Sequence, residues 1–203
     1  MGTPYFIARQ LAHPRGFLGS IIGRLMNRHN ARMNAFAVRM LELQLSDRVL
    51  EIGFGGGVSL KPLLDAGAYV AGVDRSRGMV RRARSNFSAA VSEGRADFHQ
   101  GDVEALPFGA GSFGKACTVN TIYFWKSLEA GFAEIRRVLS PNGRLVVGFL
   151  PKDRMERLGV PKDIFALREP AEVVSALMSA GFKHVRVERP VPATPWRVVI
   201  AVN

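Results

Sequence analysis

The sequence predicts an α/β fold built on a doubly wound sheet of seven strands, mostly parallel with one antiparallel edge strand. From residue 47 onward, strand and helix patterns alternate along the chain, which is typical of parallel strands joined by helical crossovers. The last two strand patterns follow each other without a helix between them, which predicts an antiparallel pair at one edge. An arginine-rich amphipathic segment that does not fit this alternation precedes the sheet.

Each predicted strand is a short apolar or β-branched run bounded by turn residues. The first, RVLEIGF, leads into a glycine-rich turn, and the second, AYVAGVD, ends in Asp74. We predict strands over residues 48–54, 68–74, 95–102, 113–124, 144–150, 184–190 and 196–203.

Four helices are predicted between these strands, over residues 57–67, 76–90, 128–143 and 169–182. Pro62 lies near the middle of the first and predicts a kink or a late start. Ser76 is suited to cap the second, and Pro170 suits the first turn of the fourth. A Pro-Asn-Gly turn is expected to close the third helix, and residues 151–168 are predicted to be irregular.

Residues 1–46 are predicted to form a helical cap, and residues 47–203 a separate sheet domain. Apolar residues recur at helical spacing between Ile21 and Leu41, so this segment has one side to bury. The cap is expected to lie over the carboxyl ends of the strands, where ligands bind in open α/β sheets.

The composition describes an ordinary globular protein, with 203 residues, 47% hydrophobic and 22% charged. A membrane span needs about 18 or more uncharged apolar residues, and a secretory leader needs a basic start before an apolar run; neither pattern is found. We therefore expect a cytoplasmic protein. Cys117 is the single cysteine, which excludes an internal disulfide and a zinc site built on several thiolates.

The net charge of +11 is concentrated in two arginine clusters, in residues 1–47 and 75–95. Such clusters attract phosphates, anionic lipid headgroups or acidic substrates. The simpler interpretation is a solvated basic face, because arginine dominates lysine along the whole chain.

A glycine turn directly after the first strand indicates a ligand that approaches the backbone closely. Gly53, Gly55 and Gly57 permit positive φ angles and leave the backbone N–H groups open. A dinucleotide motif needs a third glycine where Val58 stands, so that class is disfavoured. Glu51 precedes the turn, and an anion there suits a positively charged ligand, such as the sulfonium and ammonium of S-adenosylmethionine.

These residues, as Glu51-x-Gly53-x-Gly55-x-Gly57, resemble the first motif of class I S-adenosylmethionine-dependent methyltransferases. Asp74 at the end of the second strand, the GDVEALPF segment, VNTIYFW and RVLSPNGRLVVGF follow in the family's order. Among relatives the chain most resembles the small-molecule group of ubiquinone and menaquinone biosynthesis (methyltransferase type 11). The resemblance implies a Rossmann-like fold and S-adenosylmethionine as cofactor, with S-adenosylhomocysteine as product.

The same resemblance implies a set of cofactor-binding residues. Asp74 is expected to bind the ribose hydroxyls and Asp102 the adenine amino group. Phe54 replaces a smaller residue of the family and is expected to narrow the pocket near the methionine part. The full predicted set is Glu51, Gly53, Phe54, Gly55, Gly57, Asp74, Arg75, Met79, Gly101, Asp102, Val103, Asn120 and Thr121.

Candidate catalytic residues are His29 and Tyr123, with His13 as a further candidate base. A base is needed only if the acceptor carries a proton at the working pH. Asn30 and Asn34 lie in an amide-rich stretch with Asn27 and are predicted to face the site as part of a lid. Tyr123 and Trp125 are expected to contact the substrate, and no metal site is predicted.

The predicted function is methyl transfer to an O, N or S atom of a small acceptor. Aromatic residues suggest that this acceptor is apolar or aromatic; they are Phe6, Phe17, Phe36, Tyr123, Phe124, Trp125 and Phe149. One alternative is an rRNA or tRNA methyltransferase that uses the basic surface, although no N/D-P-P-Y/F motif follows the fourth strand. The other is a non-enzyme that binds the cofactor or a membrane surface through residues 17–40. Peripheral membrane contact and a monomer or homodimer are compatible with the pattern.

Overall fold

A computed structural model describes residues 3–12, 30–189 and 194–203. Within these residues, seven strands form one sheet in the order β3-β2-β1-β4-β5-β7-β6. The strands are β1 (Arg48–Ile52), β2 (Tyr69–Asp74), β3 (Ala96–Gln100), β4 (Phe113–Val119), β5 (Leu139–Phe149), β6 (Lys183–Glu188) and β7 (Arg197–Val202).

The pairing confirms the predicted fold class. Strands β1 to β5 are parallel to their neighbours in the sheet, whereas β7 runs antiparallel to both β5 and β6. The antiparallel strand therefore lies one place in from the edge, and β6 forms the edge itself. The strand order reverses at β1, so the carboxyl ends of β1 and β4 flank the crevice where ligands bind in such sheets.

Helices cover both faces of the sheet. Over the described residues they are α1 (Tyr5–Ala12), α2 (30–40), α3 (Leu60–Asp65), α4 (Arg77–Asn86), α5 (Ser88–Ser92), α6 (Leu128–Val138), α7 (Lys152–Arg157) and α8 (Pro170–Ser179), with a short 3₁₀ turn at Ile122–Phe124.

Several predicted helix boundaries are confirmed with a physical reason. Helix α3 starts late, so Pro62 falls in its first turn, where a missing N–H costs nothing. Ser76 caps α4 by accepting a hydrogen bond from the Met79 N–H at 3.4 Å. Pro170 is the first residue of α8.

Four predicted boundaries are wrong. The helix expected over 76–90 breaks at Phe87 into α4 and α5. The helix expected to reach 143 ends at Val138, because β5 starts at the next residue and takes in the Pro-Asn-Gly segment, with Asn142 at φ 62°. Strand β4 ends at Val119 before the 3₁₀ turn, and the stretch expected to be irregular contains α7.

The two layers of the fold have separate cores, because successive strand residues point to opposite faces. One core joins Ala8 of α1 to residues of α6, α7 and α8. The other joins Phe36 and Ala37 of α2 to residues of α3 and α4. Helices α1 and α2 therefore pack on opposite faces of the sheet. The domain division at residue 46 stays a prediction. Helix α2 precedes that division in the chain, yet its Phe36 and Ala37 side chains belong to the second core of the sheet.

Candidate functional site

The glycine turn after β1 adopts the left-handed conformations that its sequence suggests. Gly53, Gly55 and Gly57 have φ angles of 69°, 48° and 77°. A side chain at Gly53 would collide with Cγ2 of Thr121 at the end of β4. The backbone of the turn is thus packed directly against the β4 loop, which only glycine allows.

Glu51 lies under this turn and is 4% exposed. Its Oε2 atom is buried without a hydrogen-bond partner among the described residues. Burial raises the pKa of Glu51 to about 7, with the Ser59 hydroxyl acting against that rise and Asp74 adding to it. A buried carboxylate without a partner is costly, so the site fits a ligand that brings a cationic or N–H group to Glu51.

Asp74, at the end of β2, ties the neighbouring loops together. Its Oδ2 accepts a hydrogen bond from the Gly55 N–H and its Oδ1 one from the Ser76 N–H, each at 2.8 Å. Burial raises the pKa of Asp74, while these two backbone bonds lower it. A carboxylate has lone pairs for more than two donors, so Asp74 can still accept from ligand hydroxyls.

A cleft of about 310 Å³ opens beside Asp74, lined by Arg75, Gln100, Gly101 and Asp102. The Nε atom of Arg75 lies 3.6 Å from Oδ2 of Asp102, and its guanidinium also donates to the Phe124 carbonyl at 3.3 Å. The volume is at the lower end of the range for small-molecule pockets. The carboxyl ends of β2 and β3 thus border a cleft.

The other predicted cofactor residues support the walls of this region. Met79 and Val103 are buried, and the Gly101 N–H donates to the Asp74 carbonyl at 3.2 Å. Asn120 has a φ of 59° at the end of β4, and the hydroxyl of Thr121 bonds to that of Thr118.

The packing of Phe54 does not support the expectation that it narrows the pocket, which stays a prediction. Its ring is 5% exposed and packs edge-on against Phe98 at 5.6 Å, close to Gly72 of β2. The ring turns into the core on the α4 face, where apolar contact is available. Only the backbone of Phe54, whose carbonyl accepts from the Gly57 N–H at 2.8 Å, belongs to the turn.

Tyr123 and Trp125 take structural positions, against the expectation that they contact substrate. The Tyr123 hydroxyl is held by Leu150, whose N–H donates to it at 2.5 Å, and it donates to Asn120 Oδ1 at 3.1 Å. Burial raises the pKa of Tyr123 far above its usual range, which opposes a role as base. Trp125 is 8% exposed and packs edge-on against Phe132 at 5.2 Å.

The amide-rich stretch is described only in part. Asn30 and Asn34 lie on α2, both half-buried, whereas His13, Asn27 and His29 fall outside the described residues. Asn34 Oδ1 accepts a hydrogen bond from the Ser59 hydroxyl at 2.9 Å. The amide of Asn34 thus points toward the glycine turn and its helix.

Sequence reasoning missed Ser59 and Thr118. Ser59 is 2% exposed and lies beside Glu51 at the start of α3. Thr118 is fully buried on β4, and its hydroxyl donates to the Ile52 carbonyl at 3.0 Å, which holds β1 and β4 together below the turn. The signal for Thr118 was a small polar residue between the apolar residues Cys117 and Val119. The signal for Ser59 was its position two residues after the glycine run.

Over residues 3–12, 30–189 and 194–203, no helix is long and apolar enough to cross a membrane. No group of three His, Cys, Asp or Glu side chains in the same part of the chain could hold a metal ion. Arginines of the predicted basic face are partly engaged: Arg84 donates twice to the Phe98 carbonyl, and Arg95 pairs with Glu93 at 2.6 Å.

Residues 50–147 match the family model described as "Methyltransferase domain". An uncharacterized methyltransferase, YdaC of Bacillus subtilis, is 27% identical over 135 residues, which cover 66% of this chain and 72% of YdaC. A demethylmenaquinone methyltransferase of Paenarthrobacter aurescens is 33% identical over 124 residues, which cover 57% of this chain and 44% of that enzyme. The chain thus spans less than half of the second relative.

Two solved structures share the fold. A chain from the complex between the Haloferax volcanii Trm112 methyltransferase activator and a methyltransferase superposes with a TM-score of 0.75, 18% identity and 99% coverage of both chains. Phosphoethanolamine N-methyltransferase 2 of Haemonchus contortus, solved with S-adenosyl-L-methionine, gives a TM-score of 0.72 and 18% identity, and the match covers 84% of this chain and 52% of that one.

Proposed function

Because the chain belongs to the class I S-adenosylmethionine-dependent methyltransferases, we propose that it binds S-adenosylmethionine at the carboxyl ends of β1, β2 and β3 and methylates a small molecule. The observation that carries this proposal is Glu51, a buried carboxylate beside three left-handed glycines; one of its oxygens has no hydrogen-bond partner in the part of the chain that the structure describes. A phosphate ligand would be repelled there, whereas a ligand with an ammonium group would satisfy the oxygen.

Each wall of the site has a part in holding the cofactor. Glu51 would hold the ammonium group, and the backbone of the glycine turn, which carries no side chains at Gly53, Gly55 and Gly57, would lie against the amino-acid part. Asp74 would accept from the ribose hydroxyls, and Asp102 would face the adenine amino group across the cleft. Arg75 would close the outer side of that cleft through its contacts with Asp102 and the Phe124 carbonyl.

When bound, S-adenosylmethionine supplies an electrophilic methyl group on a sulfonium. The protein has to align the acceptor with that methyl group and exclude water. A base is required only for an acceptor that is protonated at the working pH, and His29 stays the candidate for it. Tyr123 is withdrawn from that role, because its hydroxyl is already bonded on both sides and its pKa is raised by burial.

The acceptor is proposed to be small, with transfer to an O, N or S atom. Support comes from relatives such as the demethylmenaquinone methyltransferase, whose name refers to a small molecule. The aromatic residues lend less support than their sequence positions suggested, because Phe36, Trp125 and Phe149 are buried. Tyr5 and Phe6 on α1 are each 54% exposed, and the Tyr5 hydroxyl donates to Asp163 beyond β5 at 2.7 Å. An apolar or aromatic acceptor would meet these rings.

The experiment is a screen for transfer of a methyl group. Purified protein is incubated with S-adenosylmethionine and a panel of lipophilic phenols, amines and thiols, with ribosomal RNA and tRNA in parallel. Mass spectrometry should detect the gain of one methyl group on a member of the small-molecule panel. Methylation of RNA alone, with binding that falls steeply with salt, would replace this proposal by the nucleic-acid alternative.

A further inference from the structure

The two edges of the sheet differ in how their outward backbone groups are covered, and the β3 edge is guarded by a side chain. Along a strand, the N–H and C=O groups of successive residues point alternately to the two sides of the strand. The Gly101 N–H donates to the Asp74 carbonyl of β2, so the odd-numbered residues of β3 face β2 and Phe98 faces outward. Arg84 of α4 donates to the Phe98 carbonyl at 2.9 and 2.6 Å. This side chain hinders the addition of a further strand to the β3 edge.

At the β6 edge, the same alternation leaves Val187 facing outward. The Asn203 N–H donates to the Gly143 carbonyl of β5 at 2.8 Å, so the odd-numbered residues of β7 face β5 and the even-numbered ones face β6. Arg186 is opposite Ile200 and faces it, so Val187, the next residue, has its N–H and C=O on the outer side. Within residues 3–12, 30–189 and 194–203, nothing bonds to these two groups. The β6 edge of the described sheet can therefore accept another strand.

The charges of β6 fit a second copy of the same strand. Arg186 and Glu188 lie on one face of the sheet and form an exposed ion pair, with Nε 2.9 Å from Oε1. When a second β6 runs antiparallel to the first with the two Val187 residues opposite each other, Arg186 of each copy is opposite Glu188 of the other. The same register lets the outward N–H and C=O groups of Val187 bond to those of its copy. Backbone and charge therefore select one register.

Exposed apolar side chains lie on the other face of the same edge. Val187 is 43% exposed and is opposite Val199, whose side chain belongs to the core that contains α6 and α8. Helix α8 packs on β6 and β7, and its Glu172 faces the centre of the sheet, because it pairs with Arg168, which donates to carbonyls of the loop after β4. Met178 lies on the side of α8 away from Glu172 and is 62% exposed. The outer side of α8 thus offers apolar surface above the open strand.

We propose that the chain forms a symmetric homodimer in which the two β6 strands pair antiparallel about Val187 and join the two sheets into one. The two-fold axis of such a pair is perpendicular to the sheet, so the α8 helices of both copies lie on the same side and flank the axis. Apolar contact there covers Met178 and Val187 of both copies, and the interface is self-complementary, as a two-fold axis requires. Strands β1 and β2 are distant from β6 in the sheet, so the inference does not depend on the proposed function.

The test measures the mass of the full chain by analytical ultracentrifugation over a range of concentrations. The monomer has a mass of 22.2 kDa, and wild type should approach twice this mass as concentration rises. Because each chain carries a net charge of +11, the salt concentration is set at about 0.15 M, where long-range repulsion is screened.

Charge reversal at the two paired positions tests the register. Glu188→Arg places two arginines opposite each other across the axis, and Arg186→Glu places two acids there, so each variant alone should dimerise about tenfold more weakly than wild type. An equimolar mixture of the two variants has opposite charges across the axis again and should form a heterodimer with about wild-type affinity. Restoring the ion pair within one chain cannot explain that result, because neither variant contains both charges.

Glu93→Arg is the matched control. Glu93 also pairs with an arginine two residues away, Arg95, at 2.6 Å, and it lies just before β3 at the opposite edge of the sheet. This variant has the same change of charge as Glu188→Arg and should dimerise like wild type. Amide hydrogen exchange adds a local readout, because the Val187 N–H should exchange slowly in wild type and faster in Glu188→Arg.

Three outcomes would overturn the inference. The first is a wild-type chain that stays a monomer up to its highest soluble concentration. The second is a wild-type dimer that neither Glu188→Arg nor Arg186→Glu weakens, which would place the interface elsewhere. The third is a mixture of the two variants that forms no heterodimer, which would show that β6 does not pair with its copy in this register.

Discussion

The carboxyl ends of β1 and β2 differ from the carboxyl end of β4 in how their polar groups are satisfied. At β1, Glu51 has a buried oxygen without a partner over residues 3–12, 30–189 and 194–203, under a turn of left-handed glycines. At β4, the Tyr123 hydroxyl is bonded to the Leu150 N–H and to Asn120 Oδ1. Sequence motifs pointed to both regions equally. In the first region, the Glu51 carboxylate can accept a hydrogen bond from a ligand. In the second region, the Tyr123 hydroxyl already bonds to groups of the protein and stabilises the fold.

This difference has an energetic meaning. A buried polar group that folding leaves unpaired costs stability, and such a cost is commonly retained where a ligand relieves it. A satisfied buried group stabilises the fold and has nothing further to bind. Substitutions at the two ends should therefore have opposite signatures: loss of ligand binding at β1 and β2, and loss of stability at β4.

The largest effect is expected for Gly53→Ala. The new Cβ would collide with Thr121 Cγ2 at a φ of 69°, so the turn must move. We expect loss of detectable S-adenosylhomocysteine binding in calorimetry and a stability loss of about 1–3 kcal/mol in denaturant unfolding. Gly94→Ala is the control, because φ there is 70° but the space around it is open. Normal binding by Gly53→Ala would show that the turn does not contact the ligand.

The second prediction concerns stability against pH. The pKa of Glu51 is raised from 4.5 to about 7, so between these values the folded protein holds a proton that the unfolded chain releases. Stability should therefore fall as pH rises through this window, by up to about 3 kcal/mol. Glu51→Gln removes this loss, and its advantage over wild type in urea unfolding should grow from about pH 5 to about pH 8. A constant difference across that range would contradict a neutral Glu51 in the folded protein.

Asp74 should have a smaller effect on binding. Asp74→Ala removes the carboxylate proposed to accept from the ribose and should weaken S-adenosylhomocysteine binding by about 1.5–3 kcal/mol. Asp74→Asn keeps the size and one acceptor oxygen, so calorimetry should place it between wild type and Asp74→Ala. Equal affinity in all three proteins would remove Asp74 from the site.

The smallest effect on activity is expected at the β4 end. Tyr123→Phe leaves the buried Leu150 N–H without its acceptor and should lower stability by about 1–3 kcal/mol. At saturating substrate the rate should stay within about threefold of wild type, whereas loss of a true general base costs about 10²–10⁴-fold. A rate loss in that range without a stability change would restore Tyr123 as a catalytic residue.

The sequence was most informative at positions where the residue type has few structural or functional roles, such as a run of glycines or an acid at the end of a strand. The glycine turn, the acid before it and Asp74 at the end of β2 could be placed, because chain direction and strand order bring them to one edge. The orientation of a side chain could not be read in this way. Phe54 adjoins the turn in sequence, yet its ring finds Phe98 in the core instead of the pocket.

Contacts between segments that are distant along the chain could not be predicted from the sequence either. The hydrogen bond between Ser59 and Asn34 joins residues 25 positions apart through the packing of α2 on the sheet. Predicting it requires the face on which α2 docks, and that choice depends on the whole second core. For the same reason, the sequence alone did not predict that α1 and α2 pack on opposite faces of the sheet, and the N-terminal residues were predicted to form one cap.

The central claim is that Glu51 and the glycine turn form a site for a cation-bearing nucleoside cofactor. Calorimetry of the wild-type chain with S-adenosylhomocysteine and with NADH, repeated for Glu51→Gln, tests it most directly. The account predicts that wild type binds S-adenosylhomocysteine and not NADH, and that Glu51→Gln binds S-adenosylhomocysteine at least tenfold more weakly, the scale of a lost hydrogen bond to a charged group. Binding of NADH with no response to S-adenosylhomocysteine, or unchanged affinity in Glu51→Gln, would contradict it.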